Sequence, residues 1–135
     1  MKSKYVYPAV FAPDPSGGGF TVTFPDLKNC YTCGDDLADA IEMAEDVLAL
    51  TLYQYEKEGW AIPTPSALEK VVTAEGEFVT YISADTFEYR RIYNNKAVKK
   101  TLTIPEWMNE AAVKANLNFS QILQEALLKK LNISS

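Results

Sequence analysis

The 135-residue sequence predicts an α+β protein in two parts: a β-β-β-α-β layer over residues 1–92 and a β-α-α module over residues 98–135. Three observations predict it. Residues 4–34 hold short runs of β-branched and aromatic types, after which the apolar spacing changes to that of a long helix. Formal charge is divided unevenly: residues 1–95 carry seven Lys/Arg against fifteen Asp/Glu, and residues 96–135 carry six Lys against three Glu. Finally, the polar stretch Tyr93-Asn94-Asn95-Lys96 separates the two parts, which makes residues 93–97 the linker.

Residues 4–11, KYVYPAVF, are expected to form the first strand, at a sheet edge or broken at Pro8, which has no amide to donate. Asp14-Pro15-Ser16-Gly17-Gly18-Gly19 is a turn cluster, and residues 20–24 alternate, so the two segments make a hairpin. The three glycines form a turn and not a phosphate loop, because they open no helix and no Lys-Ser/Thr follows. Residues 30–33 are expected as a short third strand. Asp36 then caps a helix over residues 37–58, with Asp39 adding negative charge in its first turn. Its apolar stripe is Leu37, Ile41, Ala44, Leu48, Leu52 and Tyr55, widened by Ala40, Val47 and Thr51, and its opposite face carries Glu42, Glu45, Asp46 and Glu56. Gly59 suits the left-handed position beyond the helix end. Pro63 and Pro65 mark a loop, residues 78–82 form another strand, and Asp85 caps a short helix through Arg91.

The last third is the most specific. Residues 99–104 alternate, with Lys99, Thr101 and Thr103 on one face and Leu102 and Ile104 on the other, until Pro105 stops the strand. A helix over residues 106–115 follows, presenting Met108, Ala111, Ala112 and Ala115. After the connection 116–119, Ser120 caps a second helix whose apolar face is Ile122, Leu123, Ala126, Leu127 and Leu131. One short strand and two short helices bury too little apolar surface to fold alone. Pairing the strand with its copy in a second chain solves this and produces a ribbon-helix-helix dimer. Such a ribbon fits the major groove of double-stranded DNA, with Lys99, Thr101 and Thr103 facing base edges. The start of the second helix, at Asn118 and Ser120, offers free amides to a phosphate. Two threonines among three readers make direct base readout modest, so specificity leans on DNA shape and on neighbouring half-sites, where two pairs of chains would give a larger assembly. The alternative is a structural helical hairpin flanked by an edge strand.

Composition limits the class further. At 47% hydrophobic and 23% charged residues the chain falls in the globular range. No apolar run spans a bilayer, and the first residues carry no secretory signal, so a cytoplasmic protein with reduced cysteines and no membrane association is expected. The triplet Asn132-Ile133-Ser134 then carries no weight as a glycosylation acceptor. An acidic body on a basic tail indicates two partners, one of them basic.

Gly19-Phe20-Thr21-Val22-Thr23-Phe24-Pro25-Asp26-Leu27, followed by Cys30, Thr32, Gly34-Asp35 and the long acidic helix, resembles the HicB antitoxin family over about residues 4–85. The appended ribbon-helix-helix is one of the two C-terminal modules of that family. The departure is Lys28-Asn29, where the family has a glycine second; Asn tolerates the left-handed backbone nearly as well. The resemblance implies a partial ribonuclease-H-like fold, no catalysis, and a HicA-type toxin as partner, a small basic protein that cleaves mRNA with a histidine. It also implies repression of the protein's own operon. Asp26, Tyr31, Asp35 and Asp36 are the expected toxin contacts.

No cofactor or metal is expected. Cys30-Tyr31-Thr32-Cys33 has redox or half-zinc spacing, but with no histidine and no further cysteine a zinc site is incomplete. Asp14, Asp26, Asp35 and Asp36 are turn and cap residues first, although a metal-dependent nuclease would use such a set. Trp60, Tyr53, Tyr55 and Trp107 are assigned to packing. A nuclease, or a ligand-sensing regulator with no toxin partner, are the rival functions.

Overall fold

Alternation along the first strand sets the architecture. In the computed structural model, which describes residues 2–133, β1 (Lys4–Pro13) buries Tyr5, Tyr7, Ala9 and Phe11 on one face. It pairs antiparallel with β2 (Phe20–Thr23) and β4 (Phe78–Asp85), and β2 pairs with β3 (Tyr31–Gly34), giving the order β3-β2-β1-β4. Directly opposed residues share a face, so Val22 opposite Phe11, Ile82 opposite Tyr7 and Ala84 opposite Tyr5 join the same core. The β1–β2 turn closes as expected: Asp14 N–H donates to Gly19 O, and the Asp14 carboxylate accepts from the amide and hydroxyl of Ser16.

Two expectations for the sheet are corrected. β1 is neither an edge strand nor broken at Pro8. It is the longest strand and lies between two others, and Pro8 is buried opposite Tyr81. The reason is register: β2 pairs with residues 10–13 only, so at Pro8 the strand has a neighbour on the β4 side alone and no donor is missed. The last strand also runs past Ile82 to Asp85.

Helix α1 (Leu37–Glu58) covers the buried face. Asp36 caps it as expected, accepting from Asp39 N at 2.8 Å, while the Asp39 carboxylate accepts from Asp35 N at 2.8 Å. Gly59 ends it with φ of 71°, and Asn29 takes the left-handed conformation with φ of 55°. The buried residues Ala40, Ala44, Leu48 and Leu52 all lie on the expected face, but its centre is turned toward Ala40, and Leu37 and Ile41, expected within it, are exposed. Gly34 explains the rotation. A β-carbon there would lie 2.8 Å from the Asp39 carbonyl carbon, and closer still to the backbone of Ala40. The end of β3 and the first turn of α1 are therefore in backbone contact, and Ala40 faces the sheet. Phe11, Phe20 and Phe78 close one end of this core, Phe11 and Phe78 stacked at 5.0 Å.

A loop with one 3-10 turn (Leu68–Lys70) leads to β4, and α2 (Thr86–Tyr93) follows, capped by Asp85 through the amides of Phe87 and Glu88. Glu56, expected on the outer face of α1, lies instead under this junction. Its carboxylate accepts from the Tyr5 hydroxyl at 2.8 Å and the Thr86 hydroxyl at 3.0 Å, and pairs with Arg90 at 3.0 Å.

The chain divides into two compact units, Met1–Lys96 and Ala97–Ser135. In the second, α3 (Glu106–Lys114) and α4 (Phe119–Lys130) are joined through Asn116, at φ of 60°. The cap of α4 is Asn118, whose side chain accepts from Gln121 N at 3.1 Å; Ser120, expected in that role, is the second helical residue and accepts from Gln124 Nε2. Residues 99–104, expected as a strand, carry no ladder in the single chain. A strand needs a partner's N–H and C=O groups, and one copy supplies none. Ser134 of the Asn132 triplet lies outside the described residues.

Candidate functional site

The expected toxin contacts fall at the β2–β3–α1 corner of the first unit. Tyr31 opens β3 opposite Thr23, on the face turned away from α1, and is 64% exposed. Asp35 and Asp36 follow that strand directly, both exposed. Asp36 holds its carboxylate on the helix cap. Asp26 is half-buried and accepts from the amide and hydroxyl of Ser66, at 2.9 and 2.5 Å, so it fastens the loop after α1 to the β2–β3 connection. The structure thus places Tyr31 at the start of β3 and Asp35 and Asp36 just beyond its end, and gives Asp26 an internal partner that sequence spacing could not reveal.

Beyond that corner, the sheet face away from α1 exposes Val6 and Tyr81, each 47% exposed, together with Tyr31. The parity of the strands brings these residues to one face, although β-patterning alone does not say which face a helix covers.

The carboxylates that a metal-dependent nuclease would use are taken up by local structure. Asp14 serves its turn, held below the usual carboxylate range by the Ser16 amide and hydroxyl; Asp26 binds Ser66 and Asp36 caps α1. Among the described residues no group of three or more His, Cys, Asp or Glu side chains is disposed to hold a metal. Cys30 is buried in the core, where burial pushes its thiol pKa up, and Cys33 is exposed. An odd separation along an extended strand sends the two sulfurs to opposite faces.

Two polar features escaped sequence reasoning. The Tyr5–Glu56–Thr86–Arg90 cluster is part-buried, and the Tyr5 phenol is pushed up to about 12 by burial first and by its bond to Glu56 second. Tyr7 donates to the Pro63 carbonyl, and burial followed by the nearby Asp26 charge raises its pKa. Arg90 also lies over the Tyr53 ring, which packs against Tyr89, while Tyr55 meets Trp60 edge-on; packing is what these aromatics do.

The expected DNA contacts lie in the second unit. Lys99, Thr101 and Thr103 are all exposed, as are Asn118 and Ser120. With Asn118 occupying the Gln121 amide, the free amides at the start of α4 are those of Phe119 and Ser120. No residue of α3 or α4 is buried. Leu102 (60%), Trp107 (68%), Val113 (60%) and Leu127 (50%) stand exposed with Ile104, Met108, Phe119 and Ile122. This is a helical unit whose apolar faces are left largely exposed.

A four-stranded antiparallel sheet under one long helix, followed by a small helical unit with no buried helical residue, defines an α+β protein of two compact units. A model of the HicB-like antitoxins of bacterial toxin–antitoxin systems matches residues 6–84, more than half of the chain, which therefore belongs to that family. The antitoxin HicB of Escherichia coli K12 is 37% identical over 62 residues, covering 46% of this chain and 44% of its own length. The chain thus spans less than half of the curated relatives it matches. Among solved structures, a toxin–antitoxin complex from Streptococcus pneumoniae contains a chain similar at a TM-score of 0.60 and 28% identity, over 94% of this chain and 99% of that one. The crystal structure of the Burkholderia pseudomallei antitoxin HicB matches at a TM-score of 0.54 and 19% identity, over 94% and 98% of the two chains, a likeness of fold. No helix of the described residues is long and apolar enough to cross a membrane.

Proposed function

We propose that this protein is a non-catalytic antitoxin that binds and neutralises a HicA-type mRNA-cleaving toxin through residues 1–92, and represses its own operon through residues 98–135, with residues 93–97 as linker. The similar chain from Streptococcus pneumoniae was solved in a toxin–antitoxin complex, which supports a toxin partner here. An acidic first part suits a basic partner, since complementary charge speeds encounter and fixes register. The sheet order, with α1 on one face, is compatible with a partial ribonuclease-H-like fold. Tyr31, Asp35 and Asp36 are the proposed toxin contacts, with Asp26 positioning their corner through Ser66. The partner's mRNA substrate puts this activity in the cytoplasm.

The observation that carries the DNA-binding half is the absence of any buried residue in α3 and α4. Exposed apolar area of that extent marks an interaction surface. A second copy covers it if residues 99–104 pair as a two-stranded ribbon and the helices interleave. Lys99, Thr101 and Thr103 of both copies then face the major groove of operator DNA, and the amides at Ser120 meet a phosphate. Neighbouring half-sites would hold two such dimers in a larger assembly.

The test is a separation of functions. With Lys99 and Thr101 both changed to Ala, operator binding in a gel-shift titration should be lost, while co-purified toxin stays inhibited in an mRNA-cleavage assay. With Asp35 changed to Lys, toxin affinity should fall and DNA binding should persist. Loss of both activities in either variant refutes the two-part reading.

A further inference from the structure

β4 forms an edge of the sheet, with the Leu68–Lys70 turn packed near it. It has β1 on one side only, and among the described residues none of its main-chain groups bonds to anything but β1. Half of its N–H and C=O groups therefore point away from the sheet. Natural edge strands are usually short, or guarded by Lys, Pro, a bulge or an inward charge. β4 is eight residues of FVTYISAD, with no Lys, Pro or Gly, and it is rich in β-branched and aromatic types. Nothing in its sequence blocks the addition of another strand.

Beside its C-terminal half is a groove of about 510 Å³ between β4, the start of β1, α1 and α2. Ala49 and Ala84 contribute apolar lining, and Glu45, Asp46, Asp85 and Glu88 contribute four carboxylates against one cation, Lys4. Asp85 is used by the α2 cap and Glu88 by Arg91, whereas Glu45 and Asp46 are exposed on α1 with no ion pair among the described residues. An edge that offers main-chain hydrogen bonds beside a groove that receives alternate side chains is the arrangement of strand-addition sites.

We propose that β4 takes an extended Lys- or Arg-bearing segment of a protein partner as a fifth strand, its cationic side chains seated in the groove against Glu45 and Asp46. The inference rests on the reading of this unit as a toxin-binding domain and assigns that partner a second contact, apart from the Tyr31–Asp36 corner. Charge selects the occupant. A second copy of this acidic unit would bring like charge to the groove, while a basic segment relieves it.

The test uses the full chain and a HicA-type toxin inactivated at its catalytic histidine. On binding, the β4 amides that face away from β1 should exchange hydrogen at least tenfold more slowly. The double substitution Glu45→Lys/Asp46→Lys should weaken toxin binding by about ten- to a hundredfold, with the melting temperature of the free protein unchanged. If the toxin binds and β4 exchange is unaltered, the strand-addition site is refuted while the antitoxin reading stands. If β4 is protected and the double variant binds within threefold of the parent, the cationic assignment is refuted. If the toxin fails to bind the parent protein, both readings fall.

Discussion

Leu127→Ala tests the central physical claim about the second unit, that its core is completed only by another chain. Leu127 is 50% exposed in the single chain, on the apolar face of α4 with Ile122 and Leu123. Full burial of a leucine is worth roughly 1.5–3 kcal/mol over exposure, so the half left open is worth about 1.1 kcal/mol per chain when a partner covers it. Two copies give about 2.2 kcal/mol, which corresponds to roughly a 40-fold weaker dimer. Alanine is the strongest helix former, so α4 itself is preserved and the loss reports packing between chains. Sedimentation equilibrium of the full-length protein across nanomolar to micromolar concentrations measures the constant. Val72→Ala, at a 93%-exposed position in the first unit, is the matched control and should leave it unaltered. A dimer constant within threefold of the parent for Leu127→Ala would refute the reasoning. So would a monomer in which α3 and α4 still melt cooperatively.

Four further outcomes follow from the first unit. Glu56→Gln removes the charge that Arg90 pairs with and weakens the bonds from Tyr5 and Thr86, so urea unfolding should show a loss of about 1–3 kcal/mol. Gly34→Ala should cost about 3 kcal/mol or more, because its methyl meets the backbone of Asp39 and Ala40 and neither can move without unseating α1; the same unfolding assay measures it. Tyr5 has a folded pKa raised from 10.0 to about 12, so its contribution to stability is complete below pH 10 and is lost as pH rises through 12; melting curves across that window should flatten in Tyr5→Phe. A thiol reagent should label Cys33 at once in the native protein and Cys30 only on unfolding, as peptide mapping would show.

Much of the first unit was legible because its signals are local. The bounds of α1 follow from Asp36, a long apolar period and Gly59, and each of these acts within a turn of its own position. What sequence reading misplaced depends on distant contacts. The rotation of α1 comes from Gly34 meeting Ala40 across a chain reversal, and the character of Glu56 comes from Tyr5 and Thr86, 51 and 30 residues away. Pro8 deceived because its edge rule concerns a side of the strand, whereas the register here leaves that side open only locally. The α4 cap was misread by two residues, since both Asn118 and Ser120 are good caps and only geometry chooses between them. Of the expected site, the exposure of Tyr31 and Asp35 was inferable from β3 and its turn. The bond from Ser66 to Asp26 spans 40 residues and carries no sequence pattern.

The unfinished core of the second unit has a consequence for regulation. Where folding and pairing are one event, the fraction of DNA-competent protein depends on protomer concentration as well as on intrinsic stability. Each exposed residue among Leu102, Trp107, Val113 and Leu127 then acts twice in the dimer constant, once per chain. The outward surface of the proposed ribbon would be less decisive, because Thr101 and Thr103 are short neutral side chains and Lys99 supplies the charge. Affinity for DNA should accordingly fall steeply with salt and rise when two half-sites are occupied together. Under the proposed function, repression would therefore respond to antitoxin supply more sharply than toxin neutralisation does. The first unit has its own core, of Tyr7, Phe11, Leu48 and Leu52 among others, and under the same proposal would meet its partner as a single chain. A dilution series would separate the two: operator occupancy should fall at least as steeply as the square of protomer concentration below the dimer constant, while toxin inhibition falls linearly. Parallel loss of both would mean that the first unit also needs the dimer.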